Sequence, residues 1–472
     1  MKRRSLLLGP AALAMTPCSN TAERFSTESA PGAEVASPSP LLDVRHFGAD
    51  PTGVTASDGA VARAIDACGE SGGTIRFPAG TYSFEHGINL GGKRSVVVVG
   101  DGVTTSGSPS ATRLFYTGKG DGVFINMNAA VGCHLRGLQI AHRDAHFTGT
   151  YIKCSNVGTN DPAFCTLVDC VLGASVGPGT VHLDLDKCIQ FSAERCNFIC
   201  GNPSVLGRSA HGYSNVIRFR DCQWAGNHSA PVRGGGQTWM FSGCTFEGLL
   251  SGAAGALVSA DAAGAFNGLV IVGCWFGDAS AGGTWIDIYG NGVHAGGNYI
   301  SGNTRGVVGV ALHRSVGVQF AGNLFDQLMV GFDFVDSPCR DIVVQGNIAN
   351  LVTTGFRNAE KVLPGSFVWA PNYGLGLPGS GHVLLASNGY TADSACGLIR
   401  QWGTAPLSAG RPNQPIKFPI RFPNQCLNVV ATLSGSSNPG AVAVGAISAA
   451  GFESTVYGAS GGVTLYWQAL GT

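Results

Sequence analysis

Short runs of alternating apolar and polar residues fill most of this chain, and they recur at a steady interval. The clearest series is Asp169-Cys170-Val171-Leu172, Arg195-Cys196-Asn197-Phe198, Asp221-Cys222-Gln223-Trp224, Gly243-Cys244-Thr245-Phe246 and Gly273-Cys274-Trp275-Phe276. It continues as Gly297-Asn298-Tyr299-Ile300, Gly322-Asn323-Leu324-Phe325 and Gly346-Asn347-Ile348-Ala349. Successive Cys or Asn positions lie 26, 26, 22, 30, 24, 25 and 24 residues apart. Alternation of period two marks strands, and a repeat of about 25 residues built from short strands predicts one solenoid coil per repeat. Coils pairing at about 4.8 Å stack equivalent positions into ladders. An Asn in such a ladder bonds its neighbours' amides, and Cys is a compact apolar substitute there. The large residue two places later faces the same interior. The expected fold is all-β, a parallel β-helix.

The flanks read differently. Ser57 or Asp58 can cap a helix whose Ala60, Val61, Ala64, Ile65 and Cys68 share one face. Gly69 and Gly72-Gly73 end it, and Thr74 to Phe77 alternate as a strand before the turn Pro78-Ala79-Gly80. Such a unit would cover an open sheet edge. After Asn350 the ladder loses register, and Pro364, Pro371 and Pro378 mark a linker. Residues 388–472 read as short strands joined by Gly, Pro and Ser turns, a small β-sandwich-like domain.

Composition narrows the function classes. Glycine accounts for 71 of 472 residues, without the three-residue period of collagen. In a solenoid these glycines supply the bends between faces, where positive φ is needed. Charged residues make up 12% of the chain, and 29 basic residues balance 29 acidic ones. A neutral chain has no electrostatic footprint for nucleic acid. Fifteen cysteines in an exported protein would ordinarily suggest disulfides. Here at least Cys170, Cys196, Cys222, Cys244 and Cys274 fall on core positions, so buried thiols are expected. Zinc is not, because no paired Cys-x-x-Cys clusters occur.

At the N-terminus, Lys2-Arg3-Arg4-Ser5 precedes an apolar run too short to span a bilayer. Residues 1–18 therefore read as a twin-arginine-like signal peptide and 19–40 as a flexible linker. This predicts a secreted or periplasmic bacterial protein without a membrane span.

Two segments resemble known families. Val44, Phe47-Gly48-Ala49, Asp50 to Gly53, Ala64-Ile65, Gly72-Gly73 and Phe77-Pro78-Ala79-Gly80-Thr81-Tyr82 resemble the opening signature of the pectate-lyase-like superfamily. The resemblance implies a right-handed parallel β-helix over residues 41–375, a fold that hosts lyases, hydrolases, epimerases and binding proteins. Gly397 to Gly403, Phe418 to Asn424, Cys426, Val429 to Thr432 and Tyr466 to Gly471 resemble the C-terminal domain of phage tail fibres. That resemblance implies a homotrimeric tip over residues 388–472 that binds surface glycans or other receptors.

In β-helix enzymes acting on polysaccharide, substrate commonly lies along one outer sheet. The strand 11 to 14 residues before each ladder position is the candidate. Alternation in Val181 to Asp186 turns His182, Asp184 and Asp186 to solvent, and Ile286 and Ile288 turn out Trp285, Asp287 and Tyr289. Asp287 and Asp333 then stand two coils apart, roughly 10 Å, with His313 between them. This suits an inverting hydrolase, with Trp285 and Tyr289 as a stacking platform. A second group is Arg233, His211 and Arg208 with Asp184 and Asp186. A lyase would instead need a base beside groups that neutralise a uronate, often through Ca²⁺. Otherwise no cofactor is expected. Hydrolase, lyase and a non-catalytic, trimeric glycan-binding fibre remain open on sequence alone.

Overall fold

The computed structural model describes residues 41–472 apart from 105–109, 145–146, 174–178, 209–212, 249–254, 260–263, 280–281, 303–305, 364, 370–371, 376–382, 385, 394–397 and 436–439. The proposed signal peptide and linker, residues 1–40, lie outside that range. Three parallel sheets wind around one core. A long sheet of fourteen strands runs from Leu41–Asp43 to Phe367–Trp369. A second sheet of eleven strands, here the site sheet, runs from Ile88–Asn89 to Thr354–Arg357. A third of eleven, the ladder sheet, runs from Gly80–Phe84 to Ile348–Asn350. Each coil contributes a strand to each sheet and pairs in register with the coils on either side. The expected β-solenoid is therefore the fold.

The corner between the long and ladder sheets explains the residue that precedes each ladder position. Nine successive coils place that residue in the left-handed region: Gly137, Asp169, Arg195, Asp221, Gly243, Gly273, Gly297, Gly322 and Gly346, with φ between 49° and 67°. Glycine adopts this conformation without the Cβ clash that other residues meet, and it fills six of the nine positions. Arg195 tolerates the strain beside Asp169, to which its Nε donates at 2.6 Å.

The next residue points inward. The Asn298, Asn323 and Asn347 side-chain amides donate to the Ile271, Ala295 and Phe320 carbonyls at 2.9–3.1 Å. Their Oδ1 atoms accept from the backbone N–H of the preceding rung, Asn298 from Cys274 and Asn323 from Asn298. Cys222 and Cys244 reproduce the donor half of this pattern, each Sγ lying 3.4 Å from the Ala193 or Phe219 carbonyl. The ladder does not stop at Asn347, as the sequence suggested. Asn372 adds another rung and accepts from the Asn347 N–H at 2.9 Å, although the spacer before it carries prolines that hide the register. None of the thirteen described cysteines is in a disulfide, and eleven are buried. Burial pushes the Cys165 thiol up to about 12, far from the thiolate that exchange chemistry needs.

Two residues beyond the ladder, large side chains stack along the axis. Phe198, Trp224, Phe246 and Phe276 lie with ring centroids 4.6–5.1 Å apart and planes within 8°. The strand spacing itself sets this separation.

At the N-terminal end the helix Asp58–Ala67 buries Ala60, Val61, Ala64 and Ile65. Its capping differs from expectation. Ser57 makes no side-chain cap bond, and its hydroxyl instead accepts from the Asp50 N–H. The Asp58 carboxylate reaches across to accept the N–H groups of Glu85, His86 and Gly87, tying the helix to the first coils. At the other end, Val383–Leu384, Gly389–Asp393, Leu398–Ser408, Gly462–Gly471 and Cys426–Ser434 form a five-stranded antiparallel sheet. With the three-stranded sheet of Gln414–Lys417, Gly451–Tyr457 and Ala441–Gly445 it encloses a separate core around Phe418, Phe422, Phe452, Leu465 and Trp467. Among the described residues no helix is long and apolar enough to cross a membrane.

One buried group makes the fold acid-sensitive. His182 is fully buried between Tyr151 and Phe198, with neither ring nitrogen hydrogen-bonded, and burial pulls it down to about 3. Its folded pKa lies below the unfolded value near 6.5, so the unfolded chain binds the extra proton first. Stability is expected to be full above about pH 6.5 and to fall by up to about 1.4 kcal/mol per unit below it, until about pH 3. Denaturant midpoints measured from pH 7 to pH 4 should slope less in His182→Phe, which keeps the stack; an unchanged slope would rule His182 out as the cause.

Candidate acid–base site

Register places four of the expected residues in one outward column of the site sheet. Its rungs are Asn126, Lys153, Asp184, Leu206, Arg233, Val258, Asp287, Ala311, Asp333 and Arg357. Asp184, Arg233, Asp287 and Asp333 thus share a face, and successive pairs stand two rungs apart, roughly 10 Å.

The chemistry within that column differs from expectation. His313 does not join Asp287 to Asp333. Its Nε2 lies 2.7 Å from Asp287 Oδ1 and its Nδ1 lies 2.9 Å from Asp336 Oδ2. Asp333 is buried and fully engaged: Arg357 Nη2 donates to one oxygen at 2.5 Å and Asn358 Nδ2 to the other at 2.7 Å. The cause is a bulge. Leu312 pairs with Phe334 but His313 pairs with Asp336, so Val335 is an extra residue in the strand Val330–Asp336. Lys361 Nζ holds the Val335 carbonyl at 2.6 Å. The bulge turns Asp336 toward the imidazole, and strict alternation from Phe332 and Phe334 could not reveal this. The one sequence signal was a second aspartate three residues after Asp333.

Tyr289 completes the cluster. Its ring stacks on His313 with centroids 4.9 Å apart, and its hydroxyl donates to Asp336 Oδ2 at 3.3 Å. With a carboxylate at each ring nitrogen, both contacts are hydrogen bonds only when both nitrogens carry protons. The arrangement therefore favours the protonated ring. The Asp287 hydrogen bond raises its pKa above the ordinary imidazole range; burial opposes this, and Asp336 reinforces it. His313 in turn holds Asp336 below the usual carboxylate range. The side chains of His313, Asp287 and Asp336 remain 19%, 29% and 38% exposed, so the cluster is open to a solute.

Other expected residues are placed differently. Trp285 is fully buried, not a surface platform; its Nε1 donates to the Ser301 carbonyl at 2.8 Å and its ring meets Phe276. His182 is likewise buried. Both stand at the second residue of their strands, where their rings meet the inward-facing Phe276 and Phe198 and so lie in the core. Asp184 and Asp186 are 2% and 3% exposed, so the expected solvent-facing carboxylates are covered, with Ser155 Oγ donating to Asp186. Arg233 is exposed. The Arg208 backbone pairs beside Asp186, its side chain is not described, and His211 lies outside the described residues. Among the described residues no group of three His, Cys, Asp or Glu side chains is arranged to hold a metal ion.

The family models agree with this architecture. Residues 41–274 match the model for rhamnogalacturonase A/epimerase, pectate lyase-like. Residues 394–472 match the putative tail fibre protein gp53-like, C-terminal model. No curated protein matches the chain. Among solved structures, the Azotobacter vinelandii mannuronan C-5 epimerase AlgE4 A-module is 15% identical with a TM-score of 0.57. That match covers 72% of this chain and 97% of the module, and it shows the shared solenoid fold. The ORF18 protein of Geobacillus virus E2 is 13% identical over 88% of this chain and 76% of its own, with a TM-score of 0.47. An N-truncated R1-type pyocin tail fibre is 30% identical over 19% of this chain and 84% of its own, with a TM-score of 0.17. The chain is thus a parallel β-helix matched over residues 41–274 by a pectate-lyase-like family model and over residues 394–472 by a gp53-like tail-fibre C-terminal model.

Proposed function

We propose that the protein acts on a polysaccharide along the outer face of the site sheet, with Asp287, His313, Asp336 and Tyr289 as the acid–base centre. The observation that carries this reading is the partly exposed His313 ring bridged between carboxylates on flanking coils. Such a cluster favours the protonated ring and keeps proton acceptors beside it. His313 can pass its proton to a leaving glycosidic oxygen, and a flanking carboxylate can take one from water. Asp287 and Asp336 place two carboxylates at the centre, with Arg314 acting on Asp336. A proton donor and a proton acceptor on neighbouring coils are the pair that hydrolysis of a neutral glycosidic bond needs. The lyase reaction would call for a neutralising cation such as Ca²⁺.

The polysaccharide-active fold and the tail-fibre-like module together support a secreted or surface protein whose C-terminal domain engages a glycan or receptor. Twin-arginine export and a trimeric assembly belong to the same proposal. The second reading, a non-catalytic trimeric fibre, is favoured by the gp53-like module itself.

A panel of neutral and acidic polysaccharides distinguishes these outcomes. New reducing ends without an unsaturated product support hydrolysis. An ultraviolet-absorbing unsaturated product, abolished by chelation, would replace it with the lyase reaction. Binding with neither product would leave the fibre reading.

A further inference from the structure

The ladder sheet, a different face from the acid–base centre, carries a pair of aromatic rings that no part of the proposed reaction uses. Trp275 and Tyr299 occupy the same outward position on adjacent coils, with Phe276 and Ile300 facing inward beside them. Both rings are half-buried. Trp275 lies flat along its own strand: a Cβ built on Gly277 would fall 2.3 Å from Trp275 Cζ2. Glycine at 277 is thus the seat of the indole, which stays half-buried at the surface. Tyr299 leans the same way. Its hydroxyl donates to Asp326 Oδ2 at 2.7 Å and meets the Ser301 side chain two residues on. The two side chains therefore stand on adjacent rungs of one outward row, about 4.8 Å apart at the backbone.

Polar groups rim this platform. Thr245 and Glu247 precede Trp275 and Gly277 in register, and Asn350 Nδ2 donates to Asp326 Oδ1 at 2.9 Å on the far side. We infer that Trp275 and Tyr299 form a non-catalytic binding surface for a neutral polysaccharide, with successive sugar rings laid on successive coils. The coil spacing is close to the advance of one pyranose ring along an extended glycan. Flat aromatic faces take the C–H face of a sugar, and the Glu247 and Asp326 carboxylates accept its hydroxyl protons while repelling uronates. The same rim disfavours a second copy of this chain as occupant, because self-association at an apolar row would desolvate those carboxylates without a cation to pair them.

Affinity electrophoresis of the full chain through gels containing soluble glucan, galactomannan or alginate tests this. The wild type should be retarded by at least one neutral glycan and not by alginate. Trp275→Ala, shown folded by circular dichroism, should weaken that retardation tenfold or more, and Trp275→Tyr should restore most of it. Met240→Ala, exposed on the long sheet and outside both surfaces, should leave it unchanged, which ties the effect to the ladder sheet. Absence of retardation by both neutral glycans would overturn the inference, as would wild-type retardation of folded Trp275→Ala. A fall in oligomeric mass on Trp275→Ala would overturn it in favour of a self-interface.

Discussion

Turnover of the target glycan by His313→Gln is expected to fall by about 10²–10⁴-fold, with the unfolding midpoint little changed. Glutamine keeps much of the bulk but carries neither the charge nor the transferable proton. It also leaves Asp287 and Asp336 facing one another without a cation between them. Asp336→Asn is the more informative partner. Removing that carboxylate removes one of the hydrogen bonds that hold His313 above its ordinary range. The interaction between His313 and its carboxylates is fully present below the unfolded imidazole value and is lost as pH rises through the raised folded value. The alkaline limb of the activity profile should therefore move to lower pH in Asp336→Asn. Rate profiles on the responsive polysaccharide decide the matter, and an unshifted limb would mean that His313 is not the group titrating. Asp333→Asn should behave differently: it strips Arg357 of its buried partner and is expected to lower stability more than it lowers rate.

Trp224→Ala should cost about 3–5 kcal/mol, the largest single-site loss of stability expected in the β-helix. Trp224 is fully buried in the middle of the stack, between Phe198 and Phe246 and edge-on to Phe219. Its indole N–H has no partner, so the loss is packing alone, without a hydrogen bond to replace. A coil can settle onto its neighbour only by breaking strand register, so the cavity cannot easily collapse. Guanidinium unfolding followed by circular dichroism measures the effect. Because solenoid stability is close to a sum over neighbouring coils, the transition should also broaden as the two flanks lose coupling. A loss below about 1 kcal/mol would show that the stack is not tightly packed.

Most of the fold was legible in the order of residues. The interval from Cys170 to Asn347, the inward residue two places on, and the corner glycines each encode a local preference that holds whatever the neighbours do. The N-terminal helix face was legible for the same reason, as was the all-β C-terminal module. Reading failed where position depends on a neighbouring coil. Asn372 was missed because its rung is recognised by the Asn347 bond and not by spacing. Trp285 and His182 were assigned to the surface by parity, yet their rings meet the inward-facing Phe276 and Phe198 in the core.

The candidate site divides along the same line. Sequence alone determined that Asp287, His313 and Asp333 would lie on one outer face, because period-two alternation and the coil repeat are local and additive. Tertiary structure decided which carboxylates His313 holds. One extra residue at Val335, pinned by Lys361 from the next coil, turns Asp336 to the imidazole, while Arg357 and Asn358 take Asp333 out of reach. A bulge is a property of two strands together, and no single strand's pattern contains it.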